Sequence, residues 1–146
     1  MENNIINLSN INKIQFPLLA EYLNQLDQEL KQADRLGVKP VQIGDTQFDH
    51  IINEGTVKWI LTLQNELLFI PKYVKKEEIY HSIINRGNPV FSAGEAEIVG
   101  NNGDYILLNI NNYSGHYQPS AASLKLTLFV LNAQGIDISQ TQINEV

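Results

Sequence analysis

A chain of 146 residues is long enough to bury a core as one domain without covalent staples. It has no cysteine, which excludes disulfides, thiolate metal sites and a thiol nucleophile, and its net charge of −6 argues against charge-driven binding to duplex DNA. No apolar run approaches the ~20 residues that cross a bilayer, and the N-terminus lacks a basic segment followed by a long apolar one, so neither a membrane span nor a signal peptide is read.

Residues 1–15 are rich in Asn with scattered Ile and read as a flexible arm, or as the scar of a longer protein. Residues 16–146 read as a single domain. Leu19, Tyr22, Leu23, Leu26, Leu30 and Ala33 recur at steps of three and four, which predicts a helix over 16–36 with one buried stripe. Pro17 suits its first turn and Gly37 the left-handed position past its end. Residues 38–54 read as a connector, with an extended start at 38–41, a turn or helix start at 43–46 and one short amphipathic turn at 48–52.

Residues 56–63 and 66–71 flank Gln64-Asn65 and read as a hairpin with a two-residue turn. Strict alternation puts Val57, Trp59, Leu61 and Leu63 on one face and Lys58 and Ile60 on the other. Residues 72–78 read as a charged loop, and 79–84 as either a strand or a helical turn. Arg86-Gly87-Asn88-Pro89 turns the chain into a strand over 90–99, where Gly94 marks a bulge or a close approach. A hairpin turn at 101–104 leads into a strand over 105–111. Ser120 is the expected N-cap of a helix reaching about Gln134, with Gly135 as its stop. Residues 136–146 read as an edge strand or a tail. The order predicts an α+β domain: an N-terminal helix, an antiparallel sheet of about four to five strands, and a C-terminal helix.

The chemistry concentrates in a few polar groups. His81 and His116 each have a serine within two positions and lie near expected strand ends. Two imidazoles and a lysine suit metal-independent cleavage of an RNA phosphodiester: one takes the 2′-hydroxyl proton, the other protonates the leaving oxygen, and the ammonium offsets phosphoryl charge. Lys58 is the candidate ammonium, with Ser82, Ser114 and Tyr117 as substrate-positioning groups. Glu95 and Glu97 alternate onto one strand face and read either as solvated or as a transferase Glu-x-Glu pair. Side by side, they fit glycoside hydrolysis poorly. No two histidines stand at i, i+4 and no Asp-rich calcium loop appears, so no metal and no cofactor is called for.

In order and at similar spacing, Lys58-Trp59-Ile60, the run 67–71, His81-Ser82, Ser92-Ala93-Gly94 and Ser114-Gly115-His116-Tyr117-x-Pro119 resemble two groups of proteins. One is the C-terminal half of plant IQ-motif calmodulin-binding proteins. The other is the C-terminal domains of bacterial polymorphic toxins of the Rhs and filamentous-haemagglutinin kind, where the likeness adds Gly37-Val38-Lys39-Pro40, Phe48-Asp49 and Gly94-Glu95-Ala96-Glu97. It covers about residues 37–138, and Ser-Gly-His-Tyr-x-Pro is its most specific part. The plant form carries arginine at the position of Glu95 and an apolar residue at that of Glu97, which favours the Lys–His–His site. No IQ motif is present here, so calmodulin binding is not carried over.

The resemblance implies an effector-like domain, cytoplasmic in the producing cell or delivered into a target cell as part of a larger secreted protein, with an immunity protein as its partner. Three functional expectations follow. The first is a toxin-like ribonuclease acting on RNA through Lys58, His81 and His116. The second is an ADP-ribosyltransferase using Glu95 or Glu97. The third is a non-catalytic module whose Ser-Gly-His-Tyr edge holds a peptide or a sugar.

Overall fold

The computed structural model describes residues 15–145; the expected arm at 1–15 lies outside the described residues except for Gln15. A 3₁₀ turn (Ala20–Gln25) runs into α1 (Leu26–Leu36), followed by α2 (Thr46–Ile52). Next come a hairpin of β1 (Val57–Leu61) and β2 (Leu67–Pro71), a minimal hairpin of β3 (Tyr73–Val74) and β4 (Glu77–Glu78), and a 3₁₀ turn at His81–Ile83. The long strands β5 (Ser92–Asn101) and β6 (Asp104–Asn111) precede α3 (Ala121–Ala133), β7 (Ile136–Asp137) and β8 (Gln142–Asn144). The fold is α+β, with the strand-rich middle set between an N-terminal and a C-terminal helix. Its main sheet runs β2-β1-β5-β6-β7, with β8 also on β6. The four central strands are antiparallel, and β7 and β8 join β6 in parallel.

Alternation along the strands sorts the side chains into two cores, one on each face of the sheet. Val57, Trp59, Leu61, Phe69, Ile98 and Leu107 meet Phe48 and Ile52 of α2 and Leu124, Leu128 and Leu131 of α3. On the other face Ile60, Ile70 and Ala93 meet Ala33 of α1 together with Ile79, Ile83 and Tyr117. Lys58 sits beside Trp59 and two positions from Ile60, and therefore points toward α1, as its alternation requires.

Several local expectations need correction. Phe16 is not helical but bridges Val90, with backbone hydrogen bonds in both directions. Regular α-helix starts only at Leu26, after the 3₁₀ turn, so Pro17 lies in no first helical turn. Three residues per turn in the 3₁₀ segment break the 3.6-residue register, and Leu23 ends up 56% exposed instead of in the stripe. Gly37 does close α1 in the left-handed region at φ +72°, its N–H reaching the carbonyls of Ala33 and Asp34.

The β1–β2 connection is residues 62–66, wider than a two-residue turn. The Thr62 hydroxyl accepts the N–H groups of Gln64 and Glu66, and Asn65 takes φ +66°. Residues 72–78 are not an open loop. Lys75 and Lys76 at φ +50° and +69° make the twisted turn that lets β3 and β4 pair. At the C-terminal side the Ser120 hydroxyl caps α3 by accepting from Ser123 N–H, as its position predicts. Among the described residues, no helix is long and apolar enough to cross a membrane.

Gly94 is the tightest point of the sheet. A Cβ there would overlap the Asn111 carbonyl of β6 and the Trp59 ring. Gly115 has open space around the same atom. Gly94→Ala is expected to cost about 3 kcal/mol or more in urea unfolding, and Gly115→Ala less than about 0.5 kcal/mol. Equal midpoints for the two would contradict this packing.

Candidate functional site

The polar cluster on the α1 side of the sheet is built around a residue that the helical stripe conceals. Leu26, Leu30 and Ala33 form the inward seam of α1, and Glu29 falls on the same seam. The carboxylate is carried into the protein, with the residue only 6% exposed. Its two oxygens take separate donors. Ser82 Oγ donates to Oε1 at 2.5 Å, and His116 Nε2 donates to Oε2 at 2.6 Å. The His116 ring stacks with Tyr22, at 4.2 Å between centroids, and with Tyr80, at 5.0 Å. Both ring contacts and the carboxylate thus cover the imidazole, leaving the residue 5% exposed.

His81 lies in the same cluster, bonded to Gly94 next to Glu95, the register partner of Lys58, and the Lys58 charge acts on it. Its Nε2 stands 2.7 Å from the Gly94 carbonyl, which can only accept, so Nε2 carries the proton. Burial is the main reason that its pKa is pushed down to about 3, and the Lys58 charge adds to it. Lys58 is 3% exposed. Its ammonium donates to Glu78 Oε2 at 2.8 Å and lies 5.2 Å from the Tyr80 ring centroid. Burial pulls its pKa below the usual lysine value, against the opposing hydrogen bond and charge of Glu78.

The three candidate catalytic groups are thus brought together, but not onto an open cleft. Each is buried and already bonded to a protein partner. A neutral His81 pinned to a carbonyl is a poor proton donor or acceptor near neutrality. The positioning residues are likewise spent internally. Ser82 holds Glu29. Ser114 Oγ accepts from the N–H groups of His116 and Tyr117 and folds the loop back on itself. Tyr117 is fully buried, donates to the Asn88 carbonyl at 2.9 Å, and has its phenol pKa raised by burial. That ring is a core side chain.

Glu95 and Glu97 are engaged too. Lys72 Nζ lies 3.1 Å from Glu95 Oε1, and Asn109 Nδ2 donates to Glu97 across the β5–β6 pair. Among the described residues, no three or more His, Asp or Glu side chains gather as a metal site would. Beside the cluster, the loop of residues 112–119 reaches the surface at Tyr113, Gly115 and Gln118. Asn111 Oδ1 ties its start to β5 by accepting from Glu95 and Tyr113 N–H, and the His116 carbonyl accepts from Leu19 N–H. A depression of about 460 Å³ opens there, lined by residues 112–115 and 117–119, with the Tyr113 ring exposed beside it.

Fold and site together define an α+β domain with a closed polar network under one presented loop. Among known proteins this sequence is similar to the IQ domain-containing protein IQM3 of Arabidopsis thaliana, with 30% identity over 93 residues, 64% of this chain and 19% of that protein. The chain spans about a fifth of the length of that curated relative. No protein-family model matches the chain, and no solved structure does. The likeness to polymorphic-toxin domains gains no support from these comparisons.

The depressed pKa of His81 gives a stability prediction with a definite sign. Folded His81 stays neutral down to about pH 3, whereas the unfolded side chain takes a proton below its ordinary 6.5. Unfolding therefore takes up a proton in that window, and stability falls as pH drops from 6.5 toward 3. The His81 share of that loss is about 2 kcal/mol at pH 5. Urea unfolding of His81→Gln should show a flatter pH dependence, and an unchanged slope would contradict the buried neutral imidazole.

Proposed function

We propose that the chain is a non-catalytic binding module that holds an uncharged polar ligand, a peptide strand or a sugar, at the loop of residues 112–119. The observation that carries this reading is the engagement of every candidate reactive group by the protein itself. His81 is held by Gly94, His116 and Ser82 by Glu29, and Lys58 by Glu78. Groups bonded in this way fix a shape and are not left free to move protons in a substrate. The shape they fix is that loop, which offers the exposed Gln118 amide and Tyr113 ring beside a concave surface. A concave surface with an aromatic ring and a few polar groups is how small-ligand sites are built.

A second reading, a toxin-like effector with metal-independent ribonuclease activity, keeps one observation in its favour. Lys58, His81 and His116 do share one cluster, with Tyr22 and Tyr80 rings that suit base stacking. An immunity protein would then be the expected partner, and delivery as part of a larger secreted protein the expected route.

One experiment separates the two. Total RNA incubated with the purified protein in EDTA should keep its size distribution. RNA loss that disappears in both His81→Ala and His116→Ala would replace the binding reading with the nuclease one.

A further inference from the structure

The contact between Glu29, Ser82 and His116 has the make-up of an oxyanion site that is already full. One carboxylate oxygen lies on a hydroxyl at 2.5 Å and the other on a ring N–H at 2.6 Å. Two charge-assisted donors on one anion are how proteins hold external carboxylates and phosphates. The anion belongs to α1, whereas both donors belong to the body of the domain, one from the 3₁₀ turn at His81–Ile83 and one from the loop of residues 112–119.

The attachment of α1 combines the apolar seam of Leu26, Leu30 and Ala33 with polar contacts. Glu29 and Ala33 are its buried residues. Gln32 Nε2 reaches the Glu78 carbonyl and Glu77, and Arg35 pairs with Glu77 at 2.7 Å. A depression of about 320 Å³ lies beside α1, lined by Gln25, Gln28, Glu29, Gln32, Arg35, Glu77 and Tyr80. The Lys58 ammonium lies beyond Tyr80, balanced by the Glu78 carboxylate, so the two donors and not a surplus of positive charge define the site.

We infer that Ser82 and His116 form a binding site for an oxyanion, a carboxylate or a phosphate group, which Glu29 fills from within the same polypeptide. The ligand such a site takes is an acidic residue, a C-terminal carboxylate or a small organic acid where carboxylate is preferred, and a phosphate ester where phosphate is. The inference does not depend on either functional reading, because it concerns the donor pair and its occupant alone.

The test is chemical replacement of the missing carboxylate. Glu29→Gly deletes the occupant and opens the depression onto the donors. Its melting temperature should rise by about 2–6 °C as sodium formate goes from zero to ~100 mM, against sodium chloride at matched ionic strength. Sodium phosphate in place of formate ranks the two oxyanions, and a response to either supports the site. The response should vanish in Glu29→Gly combined with Ser82→Ala, and again with His116→Asn. A folded Glu29→Gly protein indifferent to both anions overturns the inference, as does a response that survives both second substitutions. If Glu29→Gly is not recovered folded, Glu29→Ala is refolded from denaturant in formate or in chloride. A higher folded yield in formate supports the site, and equal yields overturn it.

Discussion

The burial of one carboxylate governs the whole α1 side of this domain. Taking the Glu29 charge out of water costs several kcal/mol, and two strong donors at opposite oxygens offset it. That requirement fixes three elements that are remote in sequence. α1 must lie with its Glu29 face down, the 3₁₀ turn at His81–Ile83 must bring Ser82 up, and the segment after β6 must fold back to present His116. Tyr22 and Tyr80 then have one place to go, against the imidazole. A buried pair of this kind is weak evidence of large stabilisation, yet it is a strict geometric condition, since any arrangement that leaves one member unpaired is heavily penalised.

The two faces of the sheet are therefore held by different physics. On the α2 and α3 side, aromatic and aliphatic side chains close a continuous apolar core. On the α1 side the apolar residues are fewer and smaller, and polar pairs run among them: Glu29 with His116, Lys58 with Glu78, and Lys72 with Glu95. Gly94 joins the two sides. Its missing side chain admits the Trp59 ring and the Asn111 carbonyl, and its own carbonyl accepts the hydrogen bond of His81 Nε2–H. The loop of residues 112–119 inherits its shape from this polar layer.

Much of this was legible in the sequence, for identifiable reasons. Alternation at Val57-Lys58-Trp59-Ile60 gave the correct faces, because a strand offers two sides only. Gly37, Gly135 and Ser120 marked helix ends through backbone and capping chemistry that is local. The nearness of Lys58 and the two histidines was not readable, since no spacing brings together groups so far apart in sequence, and neither was the cover over them. Glu29 is an ordinary surface residue type, and its only signal was a charge at a seam position between Leu26 and Ala33. Whether such a charge turns inward depends on Ser82 and His116, which lie 53 and 87 positions away. The start of the first helix failed for a local reason, since the 3₁₀ segment and the Phe16–Val90 bridge interrupt a stripe that looks continuous on paper.

The account rests on Glu29 and His116 acting as one unit inside the folded domain. The most direct measurement is a double-mutant cycle in urea unfolding at neutral pH, with Glu29→Gln, His116→Asn and the two combined. A coupling of about 1.5–3 kcal/mol is predicted, with the double variant losing far less than the sum of the singles. Additive losses, with a coupling within about 0.5 kcal/mol of zero, would mean that the carboxylate and the imidazole do not depend on each other, and the account would fail.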